Sequence, residues 1–350
     1  MKRRIIIPAL LLAISVCAFG CGKKKNEEKP ANETYITVGF SQLGAESDWR
    51  VANTESITGS LSRENGFELM FDDAQQKQDK QFLAIRNFTQ QEVDCIVLAP
   101  VTETGWETVL QEAKNSKIPV VVVDRRVKVN DENLITAWVG SDFAKEAQIA
   151  CEWLKIFTEK NGIDPKTLNV VDIQGTLGAT AQIGRTNGLK AACEKNEWTL
   201  LDCVPADYTR AKGKEVMKDL LGKYPNINVV YCENDNEAAG AIEAIEEAGK
   251  KCGTDIKNGE ILIISFDAAR TGLELMLEGK IALDVECNPI QGEEVAKIIK
   301  AVKNGEKFQK YTYVTEKAFS LDDSISGVLI GDKTYEITKL TEEIMAAREY

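Results

Sequence analysis

Val120 to Val123 are four consecutive valines, and Asp124 ends the run. A segment apolar at every residue has no face to give to water, so as a strand it must be covered on both sides. Less uniformly apolar strand-like runs recur at 36–40, 67–72, 95–99 and 134–139, separated by stretches that read as helices over 51–65, 79–91 and 105–116. Alternation of this kind builds β-α-β units around a parallel sheet with helices on both faces. After Gly140-Ser141-Asp142 a helix over 144–160 opens a second cycle. Its strands fall at 169–173, 199–204, 229–232, 261–266 and 281–287, and its helices at 179–196, 209–224, 237–250 and 269–278. A helix over 292–304, a hairpin around Gly331-Asp332 and a terminal helix over 341–348 complete the chain. With 350 residues there is length for two such α/β domains.

The start of the chain has a different character. Lys2, Arg3 and Arg4 precede an apolar stretch over 5–16, too short to span a bilayer comfortably. It ends in Ala18-Phe19-Gly20-Cys21, which resembles the lipobox of bacterial lipoproteins, with cleavage before Cys21 and lipid on that cysteine. Cys17 is preceded by bulky Val16 and fits less well; an ordinary cleaved signal is the plainer alternative. Residues 21–34 are lysine, glutamate and asparagine rich, a composition that forms a tether and not a core.

Charge and residue types narrow the function. A net charge of −12 opposes nucleic-acid binding and attachment to an anionic membrane surface. The chain has no histidine, hence neither the commonest general base nor the commonest metal ligand. Cys95, Cys151, Cys193, Cys203, Cys232, Cys252 and Cys287 form no CxxC pair, so neither a disulfide framework nor a zinc site is indicated, with a Cys193–Cys203 bridge left open. No metal and no cofactor is expected.

In open parallel sheets, ligands bind beyond the carboxyl ends of the strands. The residues there are 41–50, 73–76, 100–106, 124–125, 174–185, 207–212, 233–236 and 267, a set rich in Asp, Asn, Gln and Arg. Such groups bond sugar hydroxyls, and Trp49 in its polar loop offers an indole to stack on a sugar face. Trp106 opens a helix that can bury it; Trp138, Trp153 and Trp198 read as packing.

At these residues a resemblance enters. Thr37-Val-Gly-Phe-Ser-Gln42, Glu46-Ser47, Trp49-Arg50, Ala99-Pro-Val101, Asp124-Arg125, Gln174-Gly-Thr176, Lys212-Gly-Lys-Glu-Val-Met217 and Asn234-Asp235, in this order and spacing, resemble the type I periplasmic sugar-binding proteins of ABC transporters, the ribose-binding class, and within it the galactofuranose-binding branch. The resemblance implies two doubly wound parallel-sheet lobes joined by a three-crossing hinge. The N-terminal lobe would be 35–141 plus 288–316 and the C-terminal lobe 142–287 plus 317–338, followed by a terminal helix over 339–350. The crossings would lie near 140–142, 286–289 and 315–318. The ligand contacts it implies are Ser41, Glu46, Ser47, Trp49, Arg50, Asp124, Arg125, Arg185, Asn234 and Asp267, with Glu286 and Asn288 near the second crossing. The implied function is a monomeric, non-enzymatic lipoprotein that passes a monosaccharide to ABC permease subunits. The alternative is a sugar sensor presented to a membrane receptor kinase. A repressor of the same core would need an N-terminal helix-turn-helix, and a leader stands there instead. Glu46 with Asp124 as a glycosidase pair is a third reading, disfavoured by the leader and the hinge pattern.

Overall fold

The computed structural model describes residues 35–350; the leader, the tether and Cys21 lie outside them. The four valines alternate: Val120 and Val122 enter one apolar cluster and Val121 and Val123 another, on opposite faces of one sheet. That period of two is what a strand covered on both faces requires.

The first cycle comprises β1 (Ile36–Gln42), α1 (Asp48–Ser60), β2 (Phe67–Asp73), α2 (Gln78–Gln90), β3 (Cys95–Leu98), α3 (Glu107–Asn115), β4 (Val120–Val123) and β5 (Ala137–Gly140). The second comprises α4 (Phe143–Lys160), β6 (Asn169–Gln174), α5 (Thr180–Asn196), β7 (Thr199–Pro205), α6 (Arg210–Lys223), β8 (Val229–Cys232), α7 (Asp235–Glu247), β9 (Leu262–Asp267), α8 (Arg270–Leu277) and β10 (Leu283–Glu286). The chain closes with α9 (Gly292–Asn304), β11 (Tyr311–Tyr313), β12 (Ala318–Ser320), β13 (Gly327–Ile330), β14 (Lys333–Lys339) and α10 (Glu342–Ala346).

One sheet runs β11-β5-β4-β3-β1-β2, parallel throughout. The other runs β13-β14-β12-β10-β9-β8-β6-β7, parallel from β10 to β7 and antiparallel where β12 meets β10 and β13 meets β14. In each sheet the order reverses beside the first strand, at β1/β3 and at β6/β8, and such a switch point opens a crevice at the strand ends. The chain passes between the sheets three times: from β5 to α4, from β10 to α9, which packs on α1, β4 and β5, and from β11 to β12.

Three local expectations are corrected. The helix expected over 51–65 starts at Asp48, because the Ser47 hydroxyl accepts from the Arg50 backbone N–H and caps it there. It stops at Ser60, and a short 3-10 turn covers Arg63–Asn65. The strand expected over 134–139 is Ala137–Gly140; Asp131 accepts from the Asn133 backbone and starts a 3-10 turn at Glu132–Leu134. The terminal helix is shorter than expected and capped by Thr341. Trp106, Trp138, Trp153 and Trp198 are buried in the lobe cores, and all seven cysteines of the described residues are free, Cys193 and Cys203 included.

Candidate ligand-binding site

The carboxyl end of β1 leads through Glu46 and Ser47 into α1. Because the helix begins early, Trp49 and Arg50 sit on its first turn and not in the loop, which holds both rigidly over the strand ends. Glu46 Oε1 accepts from Arg50 Nε at 3.1 Å and from Arg125 Nη2 at 3.4 Å. Arg50 Nη2 donates to Asp124 Oδ2 at 2.6 Å, and Arg125 Nη1 to the Val101 carbonyl at 2.9 Å. Burial alone would lower the Arg50 pKa, but the Asp124 and Glu46 carboxylates outweigh it and raise it, so this guanidinium stays charged. Asp124 follows β4 with φ 59°, a left-handed turn that Asp tolerates better than most residues and that brings its carboxyl back over the sheet.

The second sheet supplies the facing wall. Arg185, on α5, donates from Nε to Glu146 Oε2 at 2.8 Å and from Nη1 to the Glu233 carbonyl; its Nη2 lies 3.6 Å from Asp267 Oδ1. The Phe143 and Phe266 rings lie 5.5 and 4.7 Å from its guanidinium carbon. Burial pushes the Asp267 carboxyl well up; Arg185 pulls it down, and Asp235, Glu146 and Asp124 push it further up. Asn234 caps α7 through Glu237 N at 2.8 Å and donates to the Tyr208 carbonyl at 3.2 Å.

These walls meet. Arg125 lies 5.2 Å from the Tyr208 ring centre, and Trp49 Nε1 donates to the Cys287 carbonyl at 2.5 Å. Further bonds join the two sheets' loops: Thr271 Oγ1 to Asp48 Oδ2 at 2.6 Å, Asp48 N to Asn236 Oδ1 at 3.1 Å and Glu103 N to Gly178 O at 2.8 Å. Between the walls lies a cavity of only about 20 Å³. The cleft is therefore closed.

Nine of the ten residues proposed from sequence line this space: Glu46, Ser47, Trp49, Arg50, Asp124, Arg125, Arg185, Asn234 and Asp267. Ser41 does not. It is wholly buried in β1, its hydroxyl 3.4 Å from Gln81 Nε2 on α2. Phe143, Ala181, Tyr208 and Cys287 also line the space and were missed. Ala181 and Tyr208 fall in the strand-end segments 174–185 and 207–212, so position was the available signal. Glu286 and Asn288 are absent from the lining; Glu286 instead accepts from Arg348 and Tyr350 near the chain's end.

The lining interleaves polar and apolar groups. Trp49, Phe143, Ala179, Ala181, Tyr208 and Cys287 form one apolar cluster. Against its rings lie three guanidinium groups, Arg50 4.6 Å from Trp49, Arg125 5.2 Å from Tyr208 and Arg185 5.5 Å from Phe143, which also face three carboxyls. Glu46 Oε2, Arg50 Nη1 and Tyr208 Oη are buried without a hydrogen-bond partner among the described residues. Buried polar atoms are seldom left so, and here they point to hydroxyl groups as partners. Among the described residues, Glu146, Cys287 and Glu316 form a group whose oxygen and sulfur atoms lie within 4.8 Å of one another. Arg185 against Glu146 already fills the electrostatic role of a cation there.

A domain model described as "Periplasmic binding protein domain" matches residues 38–307. The galactofuranose-binding protein YtfQ of Escherichia coli (strain K12) is 37% identical over 330 residues, covering 92% of this chain and 95% of the relative. A Mycobacterium smegmatis protein solved in complex with β-D-fucofuranose is 40% identical, with a TM-score of 0.76 over 81% of this chain and 91% of that one. The binding component of the arabinose ABC transporter of Shewanella sp. ANA-3, bound to α- and β-L-arabinofuranose, is 39% identical, with a TM-score of 0.74 over the same shares. These are binding proteins and not enzymes. In its paired doubly wound sheets, its three crossings and its sequence, the chain belongs to the periplasmic binding protein family.

Proposed function

We propose that the protein captures one neutral monosaccharide, galactofuranose-like and in furanose form, by closing its two lobes around it, and hands it to the permease subunits of an ABC importer. The observation that carries this is the charge-balanced lining with its unpartnered polar atoms. Each guanidinium is already paired with a carboxyl, Arg50 with Asp124, Arg125 with Glu46 and Arg185 with Glu146, and none is left over for an acidic or phosphorylated sugar. The orphan atoms of Glu46, Arg50 and Tyr208 come from both walls, so a polyhydroxylated ring between them completes both at once. The rings of Trp49, Phe143 and Tyr208 suit the C–H face of a sugar ring. The furanose preference is supported by the sugars bound in the two solved relatives, each near 40% identical.

The lobes are the hinged bodies implied by the resemblance, 35–141 plus 288–316 and 142–287 plus 317–338, and Cys21 carries the lipid that holds the exported protein at the outer face of the membrane. Replacing Cys21 by Ser should release the protein from the membrane fraction; continued retention would reject the anchor.

A thermal-shift screen with D-galactose, D-fucose, L-arabinose and D-ribose tests the sugar reading. At least one should raise the melting temperature. Arg125→Ala should abolish the rise, since it removes a contact to Glu46 and to Tyr208 of the opposite wall. If no sugar shifts the wild type, the reading fails.

A further inference from the structure

The three crossings meet at one cluster. Ser141 stands on the first, Cys287 and Asn288 on the second and Glu316 on the third, and Glu146 lies on the first turn of α4. Ser141 Oγ is 3.3 Å from Cys287 Sγ, and the same hydroxyl interacts with the Glu316 carboxyl. The backbone N–H of Asn288 donates to Glu316 Oε1 at 3.2 Å. The Glu146 and Glu316 carboxyls lie within 4.8 Å of each other and of the thiol. Glu146 is 1% exposed. One of its oxygens accepts from Arg185, and the other, Oε1, has no hydrogen-bond partner among the described residues. Glu316 is half-buried as a residue, with its carboxyl on the inner side among Ser141, Asn288 and Glu146.

The charges around this pair do not balance. Arg185 on α5 is the guanidinium that faces Glu146. Asp142 at the start of α4 and Asp124 after β4 add negative charge on the Glu146 side, Asp267 at the end of β9 shares Arg185 with Glu146, and Glu286 at the end of β10 adds negative charge on the Glu316 side. Arg348 is engaged on the far side of Glu286. Two enclosed carboxyls this close cannot both ionise at low cost.

We propose that closure of the lobes seals one proton between Glu146 and Glu316, so that ligand binding takes up a proton and weakens as pH rises. This rests on the reading that a sugar is held by closure of the cleft. On this proposal, opening of the lobes would turn the crossing segments that carry Ser141, Asn288 and Glu316, and the enclosure of the pair would belong to the closed form. Burial, more than any other cause, raises both groups in that form: Glu146 to about 7, against the pull of Arg185, and Glu316 well above its ordinary value with Glu146 adding to the rise. A group raised in the closed form favours closure at low pH, and that advantage is lost as pH rises through the closed-form value. The pair also bears on the ligand directly, because Glu146 orients Arg185, which lines the cleft.

The experiment is titration calorimetry on the wild-type protein with D-galactose and L-arabinose, between about pH 5 and 8, in two buffers of different ionisation enthalpy. We expect uptake of up to one proton per sugar bound near pH 6, and an affinity that falls by up to about tenfold per pH unit before levelling off. Glu316→Gln keeps the shape of the side chain and the acceptor for the Asn288 N–H while supplying a permanently neutral partner whose amide can donate to Glu146, and should bind with a flattened pH profile. PH-independent affinity without proton uptake overturns the proposal and leaves the sugar reading standing. So does a Glu316→Gln protein that keeps the wild-type slope. If that variant does not fold, the wild-type proton count decides alone. If neither sugar binds at any pH, the sugar reading falls and this inference with it.

Discussion

Arg50 and Arg125 share one oxygen, Glu46 Oε1, and Arg50 also holds Asp124, so four charged side chains lock one another beneath the cleft. Removing one partner strands the others. Asp124→Ala leaves the buried Arg50 with Glu46 alone and should destabilise the protein by about 3 to 5 kcal/mol, read by urea unfolding without ligand. It should also abolish any sugar-induced thermal shift. These residues were legible in the sequence because charged groups just past apolar strands have few other uses in a doubly wound sheet. Tyr208 and Cys287 were not, because an aromatic ring and a thiol in apolar surroundings read as core. They are core as well: each is under 5% exposed and packs in the apolar cluster beside the cleft. Ser41 fails for the opposite reason. A small polar residue near a strand end looks available, but residues along a strand alternate between faces, and this hydroxyl turns to Gln81.

Among the elements, sheet and helix identities were plain from periodicity, while their ends were set by caps that periodicity does not register. Moving the start of α1 from 51 to Asp48 changes the geometry, since it converts Trp49 and Arg50 from loop residues into fixed helix-face residues. Close helix packing was equally hard to read. Helices α6 and α7 touch so closely that a Cβ on Gly240 would lie 2.1 Å from the Arg210 carbonyl oxygen, and one on Gly213 2.7 Å from that of Glu237. Neither glycine needs an unusual backbone angle; each is there for proximity. Gly240→Ala should force the pair apart and cost about 1 to 3 kcal/mol, measured as a fall in urea midpoint. Because Asn234 caps α7 and binds the Tyr208 carbonyl, the same variant should also weaken sugar binding.

In the molecule as a whole, the second sheet buries far more acid than base. Asp172, Glu233, Asp235 and Asp284 are each fully or almost fully enclosed. Burial raises all four; Asp172 and Asp284 reach about 7, and Glu233 and Asp235 lie well above the ordinary carboxyl range. Unfolded carboxyls titrate near 4. The stability these groups confer is therefore complete below about pH 4 and is lost as pH rises through 7 and beyond, each group contributing up to about 1.4 kcal/mol per pH unit in that window. Calorimetric unfolding of the ligand-free protein should show the melting temperature falling between about pH 5 and 8, with a shallower fall in Asp172→Asn. An unchanged melting temperature would contradict the burial argument. The chain also carries its own optical probe. Of its five tryptophans, Trp106 and Trp138 lie inside one lobe and Trp153 and Trp198 inside the other, whereas the Trp49 indole N–H bonds the Cys287 carbonyl across the cleft with a guanidinium 4.6 Å from its ring. Separation of the lobes would break that bond and wet that ring alone, so intrinsic fluorescence should shift with saturating sugar in the wild type and stay silent in Trp49→Phe.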